Sequence, residues 1–282
     1  MNHGQQKEYE EHFSPDGEYI QYQMENPEMH DQPMKSNTIK PSQDKTVEKK
    51  IILDLCGGTG SWSAPWKDAG YTVHNITLPE WDVRKHVFMN GGFLVFNPKD
   101  PTKESLKINV SDIYGILAAP PCTMFSDART NARTPRDLRG GMSIVQACSH
   151  IIQECQYRTE DDQQKYSPLK FWALENPWYG RLKWFLGNPL FTFSPWEFGD
   201  AYKKKTAIWG YFKEPLKTHK TVEEVLTPEQ LEKHKTNSQI LPKFDYMASK
   251  DIHPEHFGKF DRTTRRSITP KGFAQAFFKA NQ

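Results

Sequence analysis

The sequence has few of the features that mark secreted, membrane-spanning or zinc-binding proteins. It contains four cysteines in 282 residues, and none of them forms a CxxC pair or has the spacing of a zinc site. No apolar run approaches the roughly 18 residues that span a membrane. The first residues also lack the apolar stretch of a secretory signal. We therefore predict a cytoplasmic protein with free thiols, without a metal and without a membrane partner.

The sequence also has no large excess of positive or negative charge. The formal net charge is only +2, with an acidic excess in the first 50 residues and a basic excess in the remainder. A mildly basic body is compatible with nucleic acid but does not require it. Aromatic residues, in contrast, are abundant at 13%. They can build a substantial core, so the length accommodates one large domain or a core with a small module.

Composition divides the chain into three parts. Residues 1–48 are polar with little periodicity, which predicts a disordered or loosely docked tail. Residues 213–262 are charged, low in aliphatics and interrupted by prolines, which predicts a small, partly helical insert. The apolar segments lie in residues 49–212 and 263–282, and these two ranges form the predicted core.

A strand, a glycine-rich turn and a helix open the core. Ile51–Leu55 is uniformly apolar except for Asp54, and it leads into Cys56–Trp62, with a helical pattern continuing to Ala69. This is the nucleotide-binding opening of a doubly wound fold, because glycines let the backbone approach a ligand. The spacing is neither GxGxxG nor that of a phosphate loop. An acid inside the strand, here Asp54, is more typical of S-adenosylmethionine sites than of dinucleotide sites.

The second predicted strand, Tyr71–Thr77, has no carboxylate near its end, where one usually binds a ribose. Asn75 and Thr77 are the candidates there. Asp82 follows in a predicted loop, where it either holds an adenine amino group or serves as a helix cap or solvated turn. The weak pattern of residues 85–110 indicates at most a short strand at Phe93–Phe96, with no assigned role.

A cysteine follows the most apolar strand. Ile116–Ala119 predicts a strand buried on both faces, and Pro120 and Pro121 end it because proline cannot donate to a ladder. Cys122 is therefore expected at the carboxyl end of a central strand, where open α/β sheets bind ligands. The alternative is a small buried residue without a role, as many free cysteines are.

A carboxylate is expected at the same edge of the sheet. The apolar run Leu169–Leu174 predicts another central strand, and it is followed directly by Glu175. Because parallel strands end at one edge, Glu175 and Cys122 are predicted to lie together.

A long polar loop, Thr123–Gly141, separates the cysteine from a predicted helix at Met142–Tyr157. Its arginines at 129, 133, 136 and 139 suggest phosphate contacts, or an ordinary solvated basic loop. Helical spacing places Cys148 and Cys155 in the core. The chain closes with a helix that we expect to be capped at Thr269, with Pro270 in its first turn.

In this order the motifs resemble those of the cytosine-C5 DNA methyltransferases of bacteria and phages. Asp54–Gly60 is similar to the family's Asp-Leu-Phe-x-Gly-x-Gly, with cysteine replacing the aromatic residue. Pro121–Ser126 matches Pro-Cys-Gln-x-Phe-Ser except at Thr123, and Glu175–Pro177 is similar to Glu-Asn-Val. Ala201–Lys205 matches Gln-x-Arg-x-Arg with lysines for both arginines and without the glutamine.

The resemblance implies an α/β, doubly wound, Rossmann-like core that uses S-adenosylmethionine, in a bacterial cell or the cytoplasm of a phage-infected host. It implies a monomer acting on duplex DNA. The implied catalytic residues are Cys122, Glu175 and Lys205. The implied cofactor-binding residues are Asp54, Leu55, Cys56, Gly57, Gly58, Gly60, Trp62, Thr77, Asp82 and Pro120. The implied nucleic-acid-binding residues are Ser126, Arg129, Arg133 and Lys203.

Two other functions remain compatible with the sequence. The first is the same chemistry on RNA or on a modified or single-stranded substrate, because the insert at 213–262 is small for reading a long duplex site. The second is a non-enzymatic DNA-binding protein on a decayed core, although Cys122 and Glu175 are both present. Target choice is expected in the insert, unless that stretch is only a solvated helical appendage. An amino-methyltransferase is disfavoured because Ala119–Cys122 lacks its Asp/Asn-Pro-Pro-aromatic tetrad.

Overall fold

The computed structural model describes residues 50–127, 129, 132–157, 159–160, 163–164, 169–236, 256 and 258–282. These residues fall within one compact unit. The predicted tail at 1–48 and the stretch 237–255 of the predicted insert lie outside the described residues. Within the described part of the chain, no helix has the length and apolar character needed to cross a membrane.

The described residues form both strands and helices. The strands are β1 (Ile51–Leu55), β2 (Thr72–Ile76), β3 (Trp81–Met89), β4 (Phe93–Pro98), β5 (Leu106–Asn109), β6 (Ile113–Ala118), β7 (Thr159–Glu160), β8 (Gln163–Gln164), β9 (Phe171–Pro177), β10 (Phe191–Phe193) and β11 (Thr206–Tyr211). The helices are α1 (Ala64–Asp68), α2 (Leu138–Tyr157), α3 (Lys183–Leu186), α4 (Pro228–Thr236), α5 (Arg262–Ser267) and α6 (Lys271–Asn281).

A six-stranded sheet in the order β10-β11-β9-β6-β1-β2 forms the centre of the unit. Neighbours from β9 to β2 are parallel, and β1 is buried along its whole length. The chain passes from β1 outward to β2 and later returns to place β6 on the other side of β1. The switch point of the sheet therefore lies between the carboxyl ends of β1 and β6, the position at which such sheets bind ligands. The predicted α/β class with a mostly parallel sheet is confirmed.

The two antiparallel pairings of the sheet involve β11 and β10, at one side of the sheet. β11 is antiparallel to β9, with Thr206 opposite Pro177, and β10 is antiparallel to β11. The amino end of β11 therefore lies beside the carboxyl end of β9. The lysines that precede β11 reach the same edge as Glu175 for this reason.

Alternate residues of the central strands enter two different cores. Leu53 and Ile116 belong to a cluster with α2 and the strands β3 to β5, whereas Ile52 and Leu117 face α1 and α6. The second cluster is largely aromatic. Phe273 of α6 stacks on Phe193, with ring centroids 3.8 Å apart and 12° between the ring planes.

A three-stranded antiparallel sheet made of β3, β4 and β5 was not predicted from the sequence. Only a short strand near Phe93 was expected, because β3 has no continuous apolar run and only its Val83 is buried. This sheet packs against α2, where Nε2 of His86 lies 2.8 Å from Nδ1 of His150. Asp82, expected in a loop, lies within β3.

Two predicted helix starts are corrected. α2 begins at Leu138 rather than Met142, because the Asp137 carboxylate accepts the backbone N–H of Gly140 at 2.8 Å and starts the helix early. The arginine-bearing loop therefore ends at Asp137. At the C-terminus, Pro270 rather than Thr269 is the cap of α6, while the N–H of Thr269 donates to Oγ of Ser61 at 2.9 Å.

Candidate active site

The buried carboxylate of Asp54 lies at the end of β1, directly beneath the glycine-rich turn. Its side chain is fully buried. Oγ of Ser63 donates to Oδ2 at 2.6 Å, whereas Oδ1 has no hydrogen-bond partner among the described residues. Burial raises the pKa of Asp54 to about 6, and the Ser63 hydrogen bond acts in the opposite direction. The site thus contains a buried carboxyl group with one oxygen that accepts no hydrogen bond from the described residues.

The turn above Asp54 depends on residues that adopt unusual backbone conformations or lack a side chain. A Cβ at Gly57 would collide with the Asp54 carboxyl, so only glycine allows this close approach. Cys56 has a φ of 58°, which is uncommon for a residue with a side chain. Such strain is concentrated at functional sites in proteins. The family motif has an aromatic residue at the position of Cys56.

The end of β2 completes this side of the site. Nδ2 of Asn75 donates to the carbonyl of Gly58 at 3.0 Å and so holds the turn against β2. Thr77 follows β2 and is half-buried. Asp82 receives Nε and Nη2 of Arg84 at 2.8 and 2.6 Å, and this pairing lowers the pKa of Asp82.

These residues fit S-adenosylmethionine. The carboxyl oxygen of Asp54 that lacks a partner suits a cationic ammonium group, and the glycine turn leaves backbone exposed for a ligand. Leu55 ends β1 and Pro120 follows the end of β6, so both lie at the switch point. Trp62, also predicted to bind the cofactor, has its indole in the core, 5.5 Å from the ring of Phe277.

Cys122 lies just beyond the carboxyl end of β6. It begins a short 3-10 helix at Cys122–Met124, and its carbonyl accepts the N–H groups of Phe125 and Ser126 at 2.9 and 2.8 Å. Nδ2 of Asn176, at the end of β9, donates to the carbonyl of Pro120 at 2.9 Å. This buried hydrogen bond joins the two strand ends that carry Cys122 and Glu175.

Burial sets the protonation of both predicted catalytic groups. Burial and then the neighbouring charge of Glu175 raise the pKa of the Cys122 thiol, while Lys204 and Arg266 act in the opposite direction. Burial also raises the pKa of Glu175, and Lys204 opposes it. A carboxyl group with a raised pKa remains protonated to higher pH, as a general acid requires.

The lysine nearest to Glu175 is Lys204, which the sequence analysis did not select. Its Nζ lies 3.9 Å from Oε1 of Glu175, and its side chain is only 13% exposed. Tyr202 is buried as well, and its pKa is raised by burial, then by the charge of Asp200 and then by that of Glu175. Lys203 and Lys205 are exposed. Tyr202 and Lys204, two residues apart before β11, thus both lie near Glu175. Continuing the two-residue period of the strand back from Thr206 is the sequence signal that would have indicated Lys204.

Lys205, the lysine that the motif selects, lies beside Trp178. Its Nζ lies 5.5 Å from the centre of the Trp178 ring, and its carbonyl accepts the N–H of Trp178 at 2.9 Å. The structure therefore brings Cys122, Glu175 and Lys204 together, with Lys205 at the rim. The catalytic role of Lys205 remains a prediction.

The arginines of the loop after Cys122 bind mainly to the loop itself. Arg129 donates to Oγ1 of Thr134 at 2.6 Å and to the carbonyl of Pro135 at 3.1 Å. Arg136 donates to the carbonyls of Met124 and Ser126, at 2.8 and 3.0 Å. Arg133 is exposed. Arg136 therefore braces the segment after Cys122, while nucleic-acid binding by Ser126, Arg129, Arg133 and Lys203 remains a prediction.

The described residues contain no cluster of three or more His, Cys, Asp or Glu side chains suited to a metal ion. Comparison with known protein families gives no matching family model. The chain is 34% identical over 90 residues to the type II methyltransferase M.DdeI of Desulfomicrobium norvegicum. The match covers 30% of this chain and 22% of that protein, so the chain spans about a fifth of the length of this relative. The resemblance indicated by the motifs is thus confirmed as a partial similarity to a methyltransferase.

Proposed function

We propose that the protein transfers a methyl group from S-adenosylmethionine to C5 of cytosine in DNA, with Cys122 as the nucleophile. The observation that carries the proposal is the meeting of Cys122, Glu175 and Lys204 at one edge of the sheet. The similarity to a type II methyltransferase supports the same reaction class. The buried acid beneath the glycine turn supports the cofactor.

The chemistry needs a nucleophile and an acid because C5 of cytosine is a poor nucleophile. The Cys122 sulfur adds to C6 of the base, and the electrons of the C5–C6 double bond then make C5 enamine-like. Glu175 gives a proton to N3, which removes the negative charge that the addition places on the ring. S-adenosylmethionine supplies the electrophilic methyl group. Loss of the C5 proton to a base or water then breaks the C6–sulfur bond and releases Cys122 as a thiolate, while the N3 proton returns to Glu175.

A target base that lies in a duplex must leave the stack to reach Cys122, at a cost of a few kcal/mol. The 3-10 turn at Cys122 and the hydrogen bond from Asn176 to Pro120 hold the nucleophile at the open edge of the sheet. Lys204 keeps a positive charge beside Glu175, where it also attracts the electron-rich base. The insert at 213–262 remains our candidate for target choice, and its described part includes α4.

Expression in cells without cytosine methylation tests the proposal directly. Bisulfite sequencing of their DNA should show protected cytosines in a short recurrent sequence, and Cys122→Ser should remove the protection. Parallel sequencing of RNA from the same cells tests the RNA alternative. A folded protein that binds S-adenosylhomocysteine but protects no cytosine in either nucleic acid would contradict the proposal and favour the non-enzymatic alternative.

Alanine substitution of each neighbouring lysine should separate Lys204 from Lys205. Lys204→Ala should lower the rate of adduct formation with 5-fluorocytosine DNA by about 10- to 100-fold, because Lys204 lowers the pKa of the Cys122 thiol and its loss leaves less thiolate. The same substitution should shift the pH at which loss of the Glu175 proton slows the reaction to a higher value, since Lys204 lowers the pKa of Glu175. Lys203→Ala and Lys205→Ala should affect DNA affinity more than rate. A larger rate effect at Lys205 would instead support the register implied by the sequence motif.

A further inference from the structure

A group of exposed aromatic side chains follows β9 within eight residues of chain. Tyr179, Trp184 and Phe185 are 65%, 69% and 49% exposed, and the half-buried Trp178 adjoins them in sequence. We call these four residues the aromatic platform. Large apolar side chains exposed together mark interaction sites more often than single ones do. Nothing in the proposed reaction chemistry uses them.

The aromatic platform is attached to the segment that carries Cys122. The N–H of Arg181 donates to the carbonyl of Phe125 at 2.9 Å, and the N–H of Asp127 donates to the carbonyl of Tyr179 at 3.3 Å. The ring of Phe185 lies 6.2 Å from that of Phe125. Because the N–H of Phe125 donates to the carbonyl of Cys122, the aromatic platform is linked to the nucleophile through a single turn.

Positive charges lie directly on the aromatic platform. Nζ of Lys183 is 4.5 Å and Nζ of Lys205 is 5.5 Å from the centre of the Trp178 ring. The guanidinium of Arg181 is 5.4 Å from the centre of the Trp184 ring, and Asp127 lies 3.6 Å from Arg181. Stacking surfaces interleaved with cations are the composition of single-strand nucleic-acid grooves, where rings bind bases and cations bind phosphates.

We propose that the aromatic platform binds unpaired bases of a DNA strand next to the target cytosine, so that the preferred substrate is single-stranded around the target. The identity of the target rests on the proposed function, whereas strand binding does not require methyl transfer. A base that is already unpaired enters the site without the cost of extrusion from a duplex. Bases stacked on Tyr179 and Trp184 would hold the neighbouring cytosine beside Cys122.

Binding is measured on the full chain in a Cys122→Ala background, by fluorescence anisotropy of a labelled single-stranded oligonucleotide. Trp184→Ala and Tyr179→Ala should each raise the Kd by about 5- to 140-fold, the range for loss of one stacked base. Trp184→Phe should recover most of the affinity. The matched control is Tyr211→Ala, which removes an equally exposed ring, 65%, at the opposite edge of the sheet. That control should bind as the parent does.

Salt dependence distinguishes stacking from charge. The ring variants should keep the slope of log Kd against log salt, whereas Lys183→Ala should reduce it by about 0.7 for one lost phosphate contact. The parent protein should also bind the single strand more tightly than the matching duplex.

Several results would overturn the proposal. These are ring variants that bind like Tyr211→Ala, tighter binding to duplex DNA, or equal binding to RNA of the same sequence. Light scattering that shows the ring variants converting a dimer to a monomer with unchanged DNA affinity would assign the surface to self-association. Strand binding without any methylation would contradict the proposed function alone, and methylation with intact affinity in the ring variants would contradict the platform alone.

Discussion

Cys122→Ala should form no covalent complex with DNA that carries 5-fluorocytosine, whereas the unchanged protein should accumulate one. Fluorine cannot leave C5 as a proton does, so an enzyme that adds its sulfur to C6 remains attached. Methyl transfer should fall by about 10³-fold or more, as expected when a nucleophile is removed. Denaturing electrophoresis of the protein–DNA complex provides the measurement.

The matched control is Cys155→Ala. Cys155 is buried in the core on α2, so its loss should leave adduct formation intact. Glu175→Gln should still form the adduct, but slowly, because the acid that assists at N3 is absent. An adduct that persists in Cys122→Ala would move the nucleophile elsewhere, with Cys56 in the glycine turn as the next candidate.

The rate of adduct formation should rise with pH across the neutral range. The pKa of the Cys122 thiol is raised by burial and by Glu175, so the thiolate is a minor species that grows about tenfold per pH unit below that pKa. Burial also raises the pKa of Glu175, and the loss of its proton as pH rises opposes the increase. A rate that is flat with pH would indicate that the thiol is already ionised in the complex.

Asp54→Ala should weaken binding of S-adenosylhomocysteine by about 30- to 1,000-fold, the usual cost of removing one partner of a buried charged contact. Calorimetry gives the affinity. For the unchanged protein, the affinity should also fall below about pH 6, where the Asp54 carboxyl gains its proton. Asp82→Ala tests the second predicted carboxylate in the same assay. The comparison is with the parent protein, in which Asp82 pairs with Arg84.

Stability separates lost binding from lost folding. The pKa of Asp54 is raised to about 6 in the folded protein, so its contribution to stability is largest below pH 4 and is lost as pH rises through 6. At pH 7 and without cofactor, Asp54→Asn should therefore be more stable than the parent protein, with an unfolding free energy higher by up to about 3 kcal/mol. Its unfolding temperature should rise accordingly. Asp68→Asn, at an exposed position of α1, should alter neither affinity nor stability. Unchanged affinity in Asp54→Asn would remove Asp54 from the proposed cofactor site.

Local sequence signals were sufficient for the elements that carry the proposed chemistry. The apolar runs before Cys122 and Glu175 predicted two buried strands, and prolines marked where β6 ends. The glycines after β1 predicted the turn above Asp54. These features depend on burial, donor loss and backbone freedom, which are properties of neighbouring residues and can be read without the fold.

Residues whose position depends on a partner strand or helix were not predicted correctly. β3 was missed because it has no continuous apolar run and only its Val83 is buried, and α2 began earlier than expected because Asp137 caps it. The position of Lys204 beside Glu175 was not predicted either, while the catalytic role of Lys205 stays a prediction. The aromatic platform was likewise not predicted, since the sequence does not distinguish these exposed aromatic residues from buried ones.

The sequence by itself determined that Cys122 and Glu175 lie near the carboxyl ends of two buried strands, and hence that they meet at one edge of a parallel sheet. The strand that carries Glu175 ends at Pro177 rather than at Leu174 as predicted, so Glu175 lies within it. Only the tertiary structure decided which lysine joins them and which aromatic rings remain exposed. The reason is that β11 runs antiparallel to β9, so its register against Pro177 selects the side chain before Thr206 that faces Glu175. That register is set by long-range pairing between strands, and a one-residue change in it would present the opposite set of side chains.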